Sequence, residues 1–159
     1  MKNKIIISIL TIFVIGACLA AVYAEEAHVG SLNFDVPSGF TISESTGSNV
    51  ILNSSSKDII ITTEYADQAA VTKYLGAKGF KYTTSMSGNS TVTGRDGSSG
   101  GSYSFVGYSF AKGSEKATAY ILNKDGIDFS VIVIDRSSTG SSLIMDTDVS
   151  SILKDIMLG

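Results

Sequence analysis

Apolar residues recur at every second position through much of this chain, and the pattern is strongest over residues 117–135. In the stretch IDFSVIVID, positions 127, 129, 131 and 133 are apolar, and isoleucines at 132 and 134 add apolar groups to the opposite side. A strand of this kind lies in the middle of a sheet, because both of its sides are covered near its end. The preceding Asn123-Lys124-Asp125-Gly126 supplies turn chemistry, since Asn and Asp bond their own backbone and Gly tolerates a positive φ. The pattern predicts a central β-hairpin.

The residues before this hairpin predict a meander of short antiparallel strands. Residues 25–30 are expected to be a flexible lead-in, and the alternation over residues 32–36 predicts a half-buried strand that ends at Pro37. Further extended segments are predicted at residues 40–42, 50–52 and 59–65.

Two helices are predicted, one in the middle of the chain and one at its end. Asp67 is a suitable N-cap for a helix that ends near Lys78, with Gly79 placed to stop it. A second helix begins after Asp146 or Asp148, whose charges also complement the helix dipole. Its apolar positions follow helical spacing closely. They are Val149, Ile152, Leu153, Ile156 and Met157.

Between the first helix and the hairpin, the pattern is less regular. It predicts extended segments at residues 80–84, 91–93 and 102–111, separated by loops at 85–90 and 94–101. In the third segment the aromatic residues change from odd to even positions, because they stand at 103 and 105 and then at 108 and 110. A β-bulge inserts one residue and so changes which positions of a strand point to a given face. Glycine tolerates the bulge conformation, so we predict a bulge at Val106-Gly107.

The order strands, helix, strands, helix predicts an α+β fold, with two amphipathic helices packed on a mostly antiparallel sheet. The chain has 159 residues, of which 43% are hydrophobic, which suits one domain of about 135 residues after a leader. Charged residues make up 17%, and without Lys2 and Lys4 the net charge of −3 becomes −5. Such a weakly acidic chain without a cluster of basic residues is not expected to bind nucleic acid or anionic lipid.

Residues 1–24 have the layout of a secretory signal, with a short basic region, an apolar core and then small residues. Two alternatives stay open. Residues 5–24 are long and apolar enough to cross a bilayer uncleaved, and Ile15-Gly16-Ala17-Cys18 resembles a bacterial lipobox, which would be lipidated at Cys18. In each case the basic residues stay in the cytoplasm, so residues 25–159 are expected to form an extracytoplasmic domain.

The residues that usually carry chemistry are scarce. Cys18 is the only cysteine and lies in the leader, so a mature domain has no thiol for a disulfide, a metal or a nucleophile. His28 is the only histidine, on a segment expected to be mobile, whereas a base or a metal ligand needs a fixed partner. We therefore predict no catalytic residue, no metal and no cofactor.

Several motifs have a functional and a structural interpretation, and we favour the structural one. Asn123, Asp125 and Asp128 lack the spacing of a calcium loop and fit a hairpin turn. Asp146 and Asp148 fit helix capping.

The glycine-rich residues 94–101 lack the Gly-Lys-Ser/Thr of a phosphate loop and predict a hairpin tip. Four tyrosines offer flat faces suited to a ligand groove, but their strand positions favour core or half-buried places. These are Tyr82, Tyr103, Tyr108 and Tyr120. Asn53 and Asn89 begin glycosylation acceptor patterns in predicted loops, although so Ser-rich a chain produces such matches by chance.

The opening NFDVPSGF, the meander that leads into a helix, the later hairpins and the closing helix resemble the Mog1/PsbP/DcrB-like domains over residues 32–158. The local signature consists of Phe34, Val36, Pro37, Gly39 and Phe40. The resemblance implies an α+β scaffold with accessory and binding roles, mostly extracytoplasmic or organellar, and no shared catalytic residues.

These observations favour a non-catalytic accessory of the cell envelope that binds a protein or a small ligand on its sheet face or loops. The alternative is a structural or adhesive cell-wall component, glycosylated at Asn53 or Asn89. A hydrolase would need paired carboxylates in one cleft, which sequence spacing does not indicate.

Overall fold

The computed structural model describes residues 24–93, 99–137 and 145–159, so the predicted leader lies outside the described residues. The strands are β1 (Glu26–Val29), β2 (Leu32–Asp35), β3 (Thr41–Ser45), β4 (Asn49–Asn53), β5 (Lys57–Thr62), β6 (Lys81–Thr93), β7 (Ser99–Lys112), β8 (Glu115–Lys124) and β9 (Ile127–Asp135). The helices are α1 (Gln68–Ala77) and α2 (Thr147–Leu158). Seven strands form one sheet in the order β3-β4-β5-β9-β8-β7-β6, and β1 and β2 form a separate ribbon. All pairings between these strands are antiparallel, which confirms the α+β prediction.

The β8–β9 hairpin occupies the centre, as predicted, because β9 lies between β5 and β8. The side chains of Phe129 and Val131 are fully buried, and Val133 is 7% exposed. Its turn residues Asp125 and Gly126 have φ angles of 52° and 86°. Positive φ at both central residues is typical of the type I′ turn, whose twist matches that of the flanking strands.

Each face of the sheet is covered in part, by different elements. On one, the α2 face, helix α2 and the β1–β2 ribbon enclose a core that includes Phe129 and Val131. On the other, the α1 face, helix α1 packs on a core that includes Ile132 and Phe110. Because successive residues of a strand point to opposite faces, β9 contributes to both cores.

This arrangement explains why the bulge predicted at Val106-Gly107 is wrong. Gly107 pairs with Met86 on one side and with Tyr120 on the other, and neither ladder shifts register there. Phe105 belongs to the core on the α2 face, whereas Phe110 belongs to the core on the α1 face. The aromatic residues change position because the two helices cover different stretches of β7, on opposite sides.

Two further predictions are wrong. Residues 85–90 form no loop but the middle of β6, which continues from Lys81 to Thr93. Residues 25–30 are not a flexible lead-in, because β1 pairs with β2 and buries Ala27 and Val29. Strand β1 has only four residues, too few to show a clear alternation, and β6 is an edge strand with few apolar residues to bury. Of the predicted hairpin tip at 94–101, residues 99–101 belong to β7 and residues 94–98 lie outside the described ranges.

Both helices form where their caps predict. The side chain of Asp67 accepts a hydrogen bond from the backbone N–H of Ala70 at 2.8 Å, and Gly79 follows α1 with a φ of 87°. Asp146 caps α2, accepting from the N–H of Asp148 at 2.8 Å. The apolar stripe of α2 is buried as predicted, with Met157 partly buried at its margin. Neither helix is long and apolar enough to cross a membrane, within the ranges described.

Candidate functional site

A concave surface lies where the α1 face is left uncovered. Helix α1 has ten residues and spans about 15 Å, whereas the thirteen residues of β6 span roughly 44 Å. The helix therefore cannot cover the long β6–β7 hairpin, and the end of the sheet near the β8–β9 turn stays open. We call this surface the distal trough. It is lined on the α1 face by Ser87, Asn89, Ser104, Val106, Ile121, Asn123 and Asp128, with Gly88, Phe105 and Leu122 completing the lining.

The floor of the distal trough is apolar. Val106 and Ile121 are directly paired on neighbouring strands, and both side chains are half-buried. The cavity has a volume of about 430 Å³, within the range of small-molecule sites. Because the floor belongs to paired strands of the sheet, its shape is fixed by the backbone ladder and needs no loop to form it.

Two polar pairs form opposite walls. On the β6–β7 side, Ser104 Oγ donates to Asn89 Oδ1 at 2.7 Å. On the β8–β9 side, Asn123 Nδ2 donates to Asp128 Oδ1 at 2.7 Å. These bonds orient the Asn89 amide and the Asp128 carboxylate, and each keeps capacity for a further hydrogen bond. Asp128 is the one charged residue among those that line the trough, so the site favours uncharged or cationic groups over anions.

A second concavity, of about 560 Å³, runs along α1. Its aromatic residues Tyr65 and Tyr74 stack on each other with ring centroids 4.4 Å apart, and Lys78 Nζ lies 4.9 Å from the Tyr74 centroid. Burial raises the pKa of Tyr74. We favour the distal trough as a site, because these rings already contact each other and an ammonium group.

An ion cluster joins β5 to the start of α2. Lys57 Nζ lies 2.6 Å from Asp146 Oδ2 and 3.1 Å from Asp148 Oδ2, and all three side chains are partly buried. Burial alone would raise the pKa of Asp146, but the hydrogen bonds from Lys57 and from the Asp148 N–H outweigh it, so that pKa is lowered. Burial would lower the pKa of Lys57, but its bonds to both carboxylates raise it. The cluster holds α2 on the sheet, which extends the predicted capping role.

The four tyrosines considered as a groove do not form one. Tyr103 and Tyr120 belong to the core on the α2 face, and Tyr108 packs against the core on the α1 face. Tyr82 packs edge-to-face on Phe110 and is 46% exposed. The prediction of core or half-buried positions is confirmed for three of them and wrong for Tyr82.

The other motifs keep their structural interpretation. Asn123 Oδ1 accepts from the Gly126 N–H at 3.1 Å, which stabilises the hairpin turn, and Asp125 is exposed in the turn. His28 is exposed, but on β1 and not on a mobile segment. Within the described parts of the chain, no group of three His, Cys, Asp or Glu residues is placed to hold a metal ion.

The two acceptor asparagines differ in their surroundings. Asn53 ends β4, and its Nδ2 donates to Asp58 Oδ1 at 2.6 Å. Asn89 was predicted to lie in a loop, and this prediction is wrong. It is exposed in the middle of β6 and lines the distal trough.

The distal trough was not predicted from the sequence. Its floor residues Val106 and Ile121 are ordinary strand residues, and its polar walls are common strand and turn residues. The signal that would have indicated it is a mismatch of lengths, because a hairpin of thirteen- and fourteen-residue strands extends beyond a ten-residue helix. Treating residues 85–90 as a loop concealed that mismatch.

Neither the models of known protein families nor the curated protein sequences show a match to this chain.

Proposed function

We propose that residues 25–159 form a non-catalytic binding domain of the cell envelope, which holds a small ligand in the distal trough. The observation that carries this proposal is the apolar floor of Val106 and Ile121 between two oriented polar pairs. A ligand with a short apolar body and an amine or hydroxyl group matches it, because Asp128 brings negative charge to the wall. The resemblance to Mog1/PsbP/DcrB-like domains, which have accessory and binding roles, supports the same function.

The leader supports the proposed location. An apolar core after a basic region directs export, whether residues 1–24 are then cleaved, kept as an anchor or lipidated at Cys18.

The test uses three probes of equal length and different charge, namely butylamine, butanol and butyrate. Each is titrated into the ¹⁵N-labelled product of the full-length chain, and amide shifts are followed by NMR. We expect shifts at Val106, Ile121 and Asp128 in the order amine, alcohol, carboxylate. Asp128→Asn should remove the preference for the amine, whereas the control Asp125→Asn, in the exposed turn outside the trough, should keep it. Absence of shifts in the trough with all three probes, or a preference for butyrate, would overturn the proposal.

The second candidate function is a glycosylated cell-wall component. The state of Asn89 distinguishes it from the ligand-binding domain. Asn89 is exposed, so a glycan can reach it, but a glycan there would fill the mouth of the distal trough. The two functions therefore exclude each other at this residue. Intact mass of the native product decides between them: a glycan on Asn89 removes the ligand-binding proposal, and an unmodified Asn89 removes the alternative at this position.

A further inference from the structure

Strand β6 forms an open edge of the seven-stranded sheet. Within the described residues it pairs only with β7, and residues 84–91 pair with residues 102–109 without a shift of register. In an antiparallel strand, alternate residues direct their N–H and C=O groups away from the partner strand. Along residues 84–91, the N–H and C=O groups of four alternate residues therefore face outward, among side chains that are exposed or half-buried.

This edge lacks the side chains that usually prevent strands from pairing. Exposed edges normally carry lysines, prolines or inward-pointing charges. The twelve residues from Tyr82 to Thr93 contain no charged residue and no proline, although 17% of the chain is charged and about two charges would be expected. Register shifts occur only near the two ends, at Thr83 and Val92. The central residues of β6 are thus regular, neutral and open.

We propose that a second copy of this chain pairs with β6, so that two seven-stranded sheets join edge to edge. Antiparallel pairing of a strand with itself requires a two-fold axis perpendicular to the sheet, here near Ser87 and Gly88, the middle of the regular stretch. The two copies of the regular stretch 84–91 then meet without charge repulsion, because the one charged residue of β6, Lys81, lies at the start of the strand and outside that stretch. Serine, threonine and asparagine side chains both donate and accept hydrogen bonds, so they are complementary to copies of themselves.

The pairing changes the candidate site. A perpendicular two-fold axis leaves each sheet face on the same side, so Ser87 and Asn89 on the α1 face meet the same residues of the second copy. Both residues line the distal trough on its β6 side. The two troughs would become continuous across the axis, because the second copy extends the sheet beyond the Ser104–Asn89 wall of each. The dimer forms without a ligand, so this inference does not depend on whether the trough binds an amine.

Sedimentation velocity on the product of the full-length chain tests this inference, from about 10 µM to about 1 mM, since one strand pair is a small interface. We expect a monomer that becomes a dimer over this range. Ser87→Lys places two like charges near the axis and should weaken dimerisation about fivefold or more. The matched control is Ser43→Lys, on the opposite edge strand β3, where Ser43 is also exposed; it should dimerise like the unmodified protein.

Hydrogen exchange on the unmodified protein gives a second readout that does not depend on a variant folding. Amides within residues 84–91 should gain protection as the concentration rises, and the amides of β3 should not. A monomer at all concentrations, a dimer weakened by Ser43→Lys and not by Ser87→Lys, or self-association without protection of residues 84–91 would each overturn the inference. Self-association without protection of residues 84–91 would mean that the copies associate through another part of the chain, such as residues 1–24.

Discussion

Thr62 and Ser130 lie directly opposite each other on the β5–β9 ladder, and both are completely buried, yet only one has its hydroxyl satisfied. Thr62 Oγ1 donates to the backbone oxygen of Ser48 at 3.1 Å and accepts from the N–H of Glu64 at 3.0 Å. Ser130 Oγ finds no hydrogen-bond partner among the described residues. Burial of an unpaired hydroxyl costs free energy that a hydrogen bond would return.

Removing the two hydroxyls should therefore change the free energy of unfolding in opposite directions. Ser130→Ala should raise the free energy of unfolding by about 1 kcal/mol, because the unpaired group is removed at little cost in volume. Thr62→Val should lower it by about 1 kcal/mol, because two hydrogen bonds are lost. Urea denaturation of both variants measures the difference, and a destabilising Ser130→Ala would indicate that its hydroxyl has a partner, such as a buried water.

Phe105 covers Gly88 on the β6–β7 ladder, and this contact leaves no room for a side chain. A Cβ at Gly88 would lie 2.6 Å from Phe105 Cζ, and the ring is held in the core by an edge-to-face contact with Tyr120. Gly88→Ala should cost about 1 to 3 kcal/mol of stability through overpacking.

Gly107→Ala is the matched control for that substitution, in the neighbouring strand. Its Cβ would lie 3.1 Å from Met86 Cγ, and the unbranched methionine can adjust. We expect a loss below about 1 kcal/mol, measured by the same denaturation. Equal losses at the two glycines would contradict the view that the Phe105 ring is fixed.

Asp146 should stabilise α2 in two separate ways, as the N-cap of the helix and as the ion-pair partner of Lys57. Asp146→Asn keeps an effective N-cap but removes a charge, so it tests the ion pair, whereas Asp146→Ala removes both. We expect losses of about 1 kcal/mol for Asn and about 2 kcal/mol for Ala in the free energy of unfolding. Lys57→Gln should resemble Asp146→Asn, and a double variant should lose less than the sum of the two, because both act on one interaction.

The same cluster predicts how stability depends on pH. The lowered pKa of Asp146 means that its contribution is present above the unfolded carboxyl pKa of about 3.9 and is lost as the pH falls through the folded pKa. The pKa of Lys57 is raised, and burial together with the charge of Asp146 raises the pKa of Tyr120 to about 12. Their contributions are present below their unfolded pKa values, near 10, and are lost as the pH rises through the folded values.

Thermal unfolding from acid to alkaline pH tests this expectation. The melting temperature should be highest between about pH 4 and 10 and should fall on both sides. Tyr120→Phe should flatten the alkaline side and Asp146→Asn the acid side. Unchanged slopes in both variants would show that other groups control the pH dependence.

Local features of the sequence determined much of the fold. The alternation in β9, the turn at Asp125-Gly126 and the caps Asp67 and Asp146 each follow from interactions within a few residues, so they were predicted without knowledge of the partners. The same holds for the apolar stripe of α2, since helical spacing alone defines a buried side.

Only the tertiary structure decided which face each residue of β7 serves, because that depends on which helix covers each stretch of the sheet. It also decided that residues 85–90 extend an edge strand, since an edge with little to bury leaves no apolar alternation to detect. The distal trough is also a feature that only the tertiary structure decided. It exists because α1 is shorter than the hairpin beneath it, and such a difference in length appears only when distant segments are packed together.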